Sequence, residues 1–370
     1  MFAEIKGFIK KEAVFSIAAV CAIATMFIVP PDKEYISYID FRVLCLLMCL
    51  MAVVAGFKSV GAFRVLTYQL LSRIKNGRLL GVTLVLLPFF LSMLVTNDVA
   101  LIVFVPFTLA LLSSLGCKKS IVPIIVLQTV AANLGSMATP VGNPQNLYLY
   151  SAYNFTPGDF FLCVLPLTAV SFFALSVSSL PVLPRSLPKY SAEKEKITDP
   201  KKIAIYFVLF LLCLLTVFRV VPYVVTTAIV VAAFLIIDRK LIKEIDFMLL
   251  LTFVCFFIVS ENLGRVEIIR EFLQDLLTKS TLLTAVGASQ IISNVPSAIL
   301  LSTFTDNSAD LLAGVNIGGL GTPVASLASL ITLKLYMQSE NAKVMKFLGI
   351  FTIANILGLI ILLSFQFITA

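Results

Sequence analysis

Histidine and tryptophan are absent from this chain of 370 residues, and only 13% of its residues are charged. Without histidine the chain lacks the side chain used most often as a general base, a proton shuttle or a metal ligand near neutral pH. Without tryptophan, anchoring at a membrane surface would fall to tyrosine, lysine and arginine. The absence of histidine also argues against a serine hydrolase dyad that needs it as the base.

The seven cysteines occur singly, and no two of them form a CxxC pair. All of them except Cys117 lie inside apolar runs, which argues against disulfides and zinc sites. An intramembrane aspartyl protease would need two buried aspartates, and only Asp98 lies deep within an apolar segment. We therefore expect no enzymatic activity, no bound metal and no resident cofactor.

The chain is rich in long apolar segments. Hydrophobic residues make up 59% of it, and its charged fraction is well below the roughly 25% of soluble domains. A membrane-spanning helix needs about 20 apolar residues, so the sequence predicts an all-α, multi-pass protein in the bilayer of the cell (inner or plasma) membrane. About nine segments are predicted to cross it: 13–30, 39–57, 119–150, 159–180, 203–219, 221–237, 246–262, 311–337 and 346–368.

The distribution of basic residues predicts the orientation of these helices. If the N-terminus lies inside the cell, most of the 28 lysines and arginines fall in cytoplasmic segments, as the positive-inside rule requires. Residues 181–202 are polar and rich in proline, and we predict that they form a cytoplasmic linker between residues 1–180 and 203–370. Topology thus accounts for the net charge of +8, and we expect no nucleic-acid partner.

Four long apolar segments are interrupted near their centres by polar residues, glycine or proline. We predict two re-entrant hairpins, 79–115 and 281–304, and two broken helices, 119–150 and 311–337. An interrupted helix exposes backbone groups that lipid cannot hydrogen-bond, so it is tolerated only where it lines protein or a wet cavity. The interruptions are therefore expected to form the functional site.

The two halves of the chain resemble each other. The segment "DFRVLCLLMCLMAVVAGFKSVGAFR" from Asp40 aligns with "DFMLLLTFVCFFIVSENLGRVEIIR" from Asp246. Further on, "NLG" from Asn133 matches "NIG" from Asn316, and "TPV" follows each at the same spacing. Asp40 would begin its segment outside and Asp246 inside, so the repeats are predicted to be inverted. Inverted repeats with paired interrupted helices are typical of secondary transporters, whose sites lie near the membrane midplane.

A family resemblance rests on the same interrupted segments. The first half contains "TNDVALIVFVP" followed by "NLGSMATPVGNPQNL", and the second "SNVPSAILLS" followed by "NIGGLGTPVASLASL". Together they resemble the ArsB/NhaD permeases of the ion transporter superfamily, which also includes citrate and divalent-anion/sodium symporters. The resemblance implies a scaffold region, a transport region of two hairpins and two broken helices, an elevator-type mechanism and a homodimer.

The hairpin tips depart from those of the divalent-anion symporters, which resemble Ser-Asn-Thr and bind sodium and carboxylate. The tips here read Thr96-Asn97-Asp98 and Ser293-Asn294-Val295. Asparagine is kept at both tips, which leaves sodium binding at Asn97 and Asn294 open, whereas the final threonine is lost at both. The Asn-Asp pair of the first tip is closer to the arsenite permease ArsB.

Substrate- and ion-binding residues are predicted at the tips and the breaks. Carbonyl groups before a break suit a cation, and N–H groups that open the next half-helix suit an anion or a polar neutral solute. Glycines allow close approach, while amides and hydroxyls supply donors and acceptors. The predicted residues are Thr96, Asn97, Asp98, Asn133, Gly135, Thr139, Gly142, Asn143, Gln145, Asn146, Ser293, Asn294, Asn316, Gly318 and Thr322.

Asp98 is the most specific of these signals. An ionised aspartate at mid-membrane costs about 3 kcal/mol on insertion scales, so it should face a cavity, a partner or a bound ion. We expect it to exchange a proton or bind a cation; alternatively, it caps the second helix of its hairpin. Its charge would disfavour a divalent carboxylate nearby, which leaves a neutral or weakly acidic oxyanion species, or a cation.

The leading interpretation is an ion-coupled secondary active transporter of the arsenite-permease type, which moves a small anion or metalloid oxyanion species, coupled to protons. A sodium-coupled citrate or dicarboxylate symporter and a sodium/proton antiporter are the alternatives, with H⁺ or Na⁺ as the coupling ion. A channel would not require paired broken helices. The chain has no ATP-binding motif, so any ATPase would be a separate subunit.

Overall fold

The computed structural model describes residues 12–71, 74, 76–186, 196–339 and 342–369, and its regular secondary structure over these residues is entirely helical. The described part of the first half contains eight α-helices: α1 (Ala13–Ile28), α2 (Phe41–Ser59), α3 (Ala62–Leu71), α4 (Gly77–Leu91), α5 (Asn97–Ser114), α6 (Ile121–Ser136), α7 (Pro144–Ala152) and α8 (Pro157–Ser179). The N-terminal lead, residues 1–11, and residues 187–195 of the predicted linker lie outside the described residues.

The second half of the chain, from residue 196 on, is also helical. Its α-helices are α9 (Pro200–Val217), α10 (Tyr223–Ile237), α11 (Phe247–Gly264), α12 (Glu267–Lys279), α13 (Thr281–Ile292), α14 (Asn294–Ser302), α15 (Ser308–Ile317), α16 (Leu327–Met337) and α17 (Val344–Thr369). Short 3₁₀ helices cover Lys33–Ile36, Lys118–Ser120 and Arg239–Glu244.

Seven helical segments of the described chain are long and apolar enough to cross a membrane: Lys33–Ser59, Asn97–Ser114, Lys118–Ser136, Pro157–Ser179, Pro200–Val217, Phe247–Gly264 and Val344–Thr369. Their outer faces carry large exposed apolar side chains such as Leu162 and Phe173, as a surface in contact with lipid requires. The prediction of an all-α, multi-pass membrane protein is confirmed. Two amphipathic helices, α3 and α12, lie between these apolar segments.

Helix breaks occur in all four segments where the sequence predicts them. Residues 92–96 separate α4 from α5, and Ser293 alone, with φ of 74°, separates α13 from α14. Residues 137–143 and 318–326 interrupt the two broken helices. Proline supports the first of these, because Pro144 occupies the first turn of α7, where a missing N–H costs nothing.

Buried apolar side chains form a core that continues from one half of the chain into the other. One part of it joins residues of α2, α7, α9, α10, α11 and α14, and another joins residues of α4, α5, α6, α8, α15 and α17. Tyr206 fills the space beside Gly56, where an added Cβ would approach the ring to 2.8 Å, and stacks on Phe234 with 5.5 Å between ring centroids. The breaks lie between these packed helices.

A polar clamp fixes the loop after α1 to the end of α11. Arg265 Nη1 donates to Asp32 Oδ2 at 2.8 Å and to Tyr38 Oη at 2.7 Å. One turn earlier, Asn262 Nδ2 donates to Tyr35 Oη at 2.9 Å. The guanidinium of Arg265 holds the pKa of the Asp32 carboxyl below its usual value, so this ion pair stabilises the attachment of α1 wherever Asp32 is ionised.

The clamp predicts a pH dependence that Asp32→Asn removes. Because the folded pKa of Asp32 is lowered, the pair contributes stability above the ordinary carboxyl pKa of about 4, and that contribution is lost as the pH falls through the folded pKa. Thermal unfolding in detergent should therefore show a small advantage of the wild type over Asp32→Asn at about pH 6, which disappears as the pH approaches that pKa.

Asp275→Asn is the control for this measurement, because Asp275 pairs with Lys279 within α12 and joins no two helices. It should leave the pH profile of the wild type unchanged. Parallel profiles for the wild type and Asp32→Asn would contradict the role of the clamp.

Candidate functional site

Each tip is joined to the break of its own half by one backbone hydrogen bond. We call residues 92–97 the first tip, 293–294 the second tip, 137–143 the first break and 318–326 the second break. Asn97 N donates to Gly142 O at 3.2 Å, and Asn294 N donates to Ala325 O at 2.9 Å. These two pairs occupy matching positions in the two halves.

A second matched pair of contacts involves the threonines of the "TPV" segments. Thr139 Oγ1 donates to Met93 O at 2.5 Å, and Thr322 Oγ1 donates to Gln290 O at 3.1 Å. In each half, a hydroxyl at the break thus satisfies a carbonyl at or near the end of the preceding helix. Both carbonyl groups are therefore satisfied inside the protein, as polar backbone groups in a membrane must be.

A third matched pair joins the two halves to each other. Asn143 Nδ2 donates to Asn316 Oδ1 at 3.2 Å, and Ser326 Oγ donates to Asn133 Oδ1 at 2.9 Å. Asn143 and Ser326 are the N-cap residues of α7 and α16. In each half, the asparagine near the end of the helix before the break therefore binds the N-cap residue of the helix after the break in the other half.

Further amide contacts extend this network. Asn97 Nδ2 donates to Asn133 Oδ1 at 3.0 Å, so the first tip shares the acceptor used by Ser326. Asn316 Nδ2 donates to Asn146 Oδ1 at 2.7 Å. Asn97, Asn133, Asn146, Asn316 and Ser326 are all buried. A buried network in which each amide has a partner is rigid, and it is costly to break at any one member.

Close backbone approach requires the predicted glycines. A Cβ at Gly135 would lie 2.1 Å from Phe89 O of α4, and a Cβ at Gly142 would lie 2.1 Å from Ser136 O. At Gly318 the nearest atom would be Ser289 Oγ of α13, at 2.7 Å. Larger residues would push the broken helices away from the helix pairs whose tips they bind.

Asp98 is the second residue of α5, and it does not cap that helix. The N-cap position belongs to Thr96, whose side chain makes no capping hydrogen bond. Asp98 Oδ1 is buried and has no hydrogen-bond partner among the described residues. The alternative that Asp98 caps this helix is therefore wrong, because Thr96 holds the N-cap position. A carboxylate oxygen without a protein partner, one residue after the network amide Asn97, is able to accept a proton or bind a cation.

The remaining predicted residues border the network rather than form it. Gln145 is buried in the first turn of α7. Ser293 Oγ donates to Ala325 O at 3.3 Å, so it closes the second tip onto the second break. Thr322 is exposed. The second break thus presents an open side, whereas most of the first break is buried.

Sequence reasoning missed four residues of the site. Ser136 and Ser326 bind network asparagines, Gln290 binds the second break, and Asn355 Oδ1 accepts from Gly321 N at 3.3 Å. Ser326 could have been found, because it follows its "TPV" segment at the spacing at which Asn143 follows the first. Gln290 was detectable as an amide inside an apolar helix. Asn355 lies on α17, which carries no repeat signal.

An apolar cavity of about 370 Å³ adjoins the second tip. Ser293, Pro296 and Leu327 line it on one side, and α1 and α11 line the other. Within the described part of the chain, no three cysteine or carboxylate side chains are grouped as a metal site would require. The arrangement therefore offers amides, hydroxyls and one carboxylate to a small polar solute.

Comparison with known proteins agrees with this architecture. A family model described as citrate transporter matches residues 5–315. An uncharacterized transporter of Methanocaldococcus jannaschii is 34% identical over 334 residues, which cover 90% of this chain and 91% of that protein. The Escherichia coli inner membrane protein YbiR is 30% identical over 325 residues, 87% of each chain.

A further relative is similar over a shorter stretch. The silicon efflux transporter LSI3 of Oryza sativa subsp. japonica is 34% identical over 139 residues, which cover 38% of this chain and 28% of that protein. The predicted superfamily is confirmed, while the narrower ArsB/NhaD resemblance stays a prediction. Because the family match spans most of the chain and two relatives align over nearly their whole length, the chain belongs to the citrate transporter family, and it is a multi-pass secondary transporter of the membrane rather than an enzyme.

Proposed function

We propose that this transporter moves a small neutral or weakly acidic oxyanion species, as arsenite permeases do, and that it is coupled to protons through Asp98. The observation that carries the proposal is the chemistry of the site. The network is built from amides and hydroxyls, and Asp98 is the charged side chain at the tips. A solute with hydroxyl groups suits such a set of donors and acceptors.

The same chemistry weighs against the sodium-coupled citrate or dicarboxylate symporter. A divalent or trivalent carboxylate would need positive charge to balance it, and a negative Asp98 nearby would raise its binding free energy. The sodium/proton antiporter fits Asp98 equally well, but it gives no role to the many donors around the breaks. Similarity of part of the chain to a silicon efflux transporter also favours a hydroxylated solute.

We further propose that residues 1–180 and 203–370 are inverted repeats joined by a cytoplasmic linker at 181–202, with the N-terminus inside. The three matched pairs of hydrogen bonds support the repeat. In this proposal 79–115 and 281–304 are re-entrant hairpins whose tips meet the broken helices, and the network moves as one body in an elevator-type cycle. A homodimer is part of the proposal, and any ATPase would be a separate subunit.

The function can be tested with purified protein in liposomes that contain a pH-sensitive dye. Arsenite, silicic acid, citrate and sodium salts would be added in turn, with an imposed gradient of each. Proton movement that depends on arsenite or silicic acid would support the proposal. Citrate uptake that requires sodium and leaves the dye unchanged would overturn it in favour of the symporter, and proton movement driven by sodium alone would favour the antiporter.

Asp98→Asn should abolish coupling while it preserves the shape of the site. Substrate-dependent proton flux is expected to fall by about tenfold or more, because the amide cannot take up and release the proton. Glu261→Gln is the matched control, since Glu261 is a partly buried acid in α11, outside the network; it should leave the flux unchanged. Normal flux in Asp98→Asn would contradict the role of this carboxyl.

Asn133→Ala and Asn316→Ala should each reduce transport strongly and lower stability. Each change leaves buried donors or acceptors unpaired, at about 1–3 kcal/mol for each group. Asn262→Ala is the control, because Asn262 is a buried asparagine in the polar clamp with two side-chain hydrogen bonds. It should lower Tm without a comparable loss of transport. Equal transport losses in all three variants would mean that the network acts only through stability.

A further inference from the structure

Carbonyl oxygens at the second break converge on the side-chain amide of Gln290. Its Nε2 donates to Gly318 O at 3.0 Å and to Leu320 O at 2.9 Å. Val286 O, one turn earlier in α13, lies 3.2 Å from the same nitrogen. Three acceptors thus face one NH₂ group that has two protons. Convergent carbonyl oxygens are the ligands that hard cations use in proteins.

The oxygen of the Gln290 carboxamide is also hydrogen-bonded to the second break. Gln290 Oε1 accepts from Thr322 N at 2.8 Å. Gly321 has φ of 111°, and a Cβ there would lie 2.0 Å from Gln290 Oε1. The backbone of the second break therefore takes a glycine-dependent conformation that leaves space for this amide. Both the NH₂ group and the oxygen of the Gln290 carboxamide are therefore bound by the second break.

At the first break, a side-chain amide also binds carbonyl groups, but it comes from a different position in the sequence. Met93 occupies the place of Gln290 in the first half, and its thioether cannot donate a hydrogen bond. Instead, Asn146 Nδ2 donates to Met137 O at 3.1 Å and to Thr139 O at 3.2 Å. Ser329 matches Asn146 in the second half by the repeat and has no amide. Each break thus has one amide on its carbonyl groups, supplied from non-equivalent positions.

We propose that these side-chain amides take the place of coupling cations at the breaks, so that the protein binds no sodium ion on the carbonyl groups of either broken helix. The inference deepens the proposed function and rests on it for the assumption of ion coupling. It names Gln290 as the residue that makes the second break independent of sodium.

Gln290→Glu tests this with little change in size. A glutamate in its charged form donates no hydrogen bond, so it would place negative charge among three carbonyl oxygens, and a bound sodium ion would relieve the repulsion. In detergent at about pH 8.5, the variant should gain a rise in Tm that grows with NaCl concentration and is absent in KCl of equal ionic strength. The wild type should show equal Tm in the two salts.

Gln128→Glu is the matched control. Gln128 is a buried amide of α6 whose Nε2 donates to Leu84 O and Thr108 Oγ1, both at 2.8 Å, away from the breaks. It should lower Tm equally in NaCl and KCl. If Gln290→Glu does not fold, Gln290→Met gives the second half the residue of the first half, frees the carbonyl groups, and should show the same sodium-specific rise.

Two results would overturn the inference. One is a sodium-specific rise in the Tm of the wild type, which would show that a cation site exists beside the amides. The other is a response of the Gln290 variants that is no more sodium-specific than that of Gln128→Glu. Thermal unfolding needs no substrate, so these results are independent of the liposome assay: failure of the proposed cargo would leave them unchanged, and their failure would leave the cargo open.

Discussion

Backbone groups inside a bilayer have no water to bind, and this constraint determines the centre of the molecule. Two helices are interrupted there, and each interruption frees N–H and C=O groups that would each cost several kcal/mol in hydrocarbon. The structure satisfies them from the tips of two helix pairs and from a network of buried asparagines. Removing one partner would leave others unpaired, so the tips, the breaks and the network hold together as one arrangement.

The network also joins the two halves of the chain. Asn133 and Asn316 each accept a hydrogen bond from the N-cap residue of the opposite half. This exchange makes each broken helix depend on the other. It also places the N-termini of α7 and α16 next to the same amides. A solute bound there would contact both halves of the chain.

Departures from symmetry are as informative as the matched contacts. The side-chain amide on the carbonyl groups comes from Asn146 of α7 in the first half and from Gln290 of α13 in the second. The same requirement, a donor for convergent carbonyl oxygens, is met by different residues because the local geometry differs. The second break has an exposed Thr322 and an apolar cavity beside its tip, whereas most of the first break is enclosed. The two halves are therefore related in architecture but differ in what they expose.

The sequence by itself determined the helical class, the approximate helix limits and the positions of all four interruptions. Hydropathy, proline and glycine act locally, so they can be read without knowing what lies nearby. It also identified Asn133, Asn143, Asn146 and Asn316, because amides are rare in apolar segments. The sequence could not show that Asp98 lies two residues after the N-cap of α5. It also could not identify the hydrogen-bond partners of Gln290 and Asn355. Those contacts join residues that are distant in the chain or depend on the angle at which helices pack, and only the tertiary structure decides such geometry.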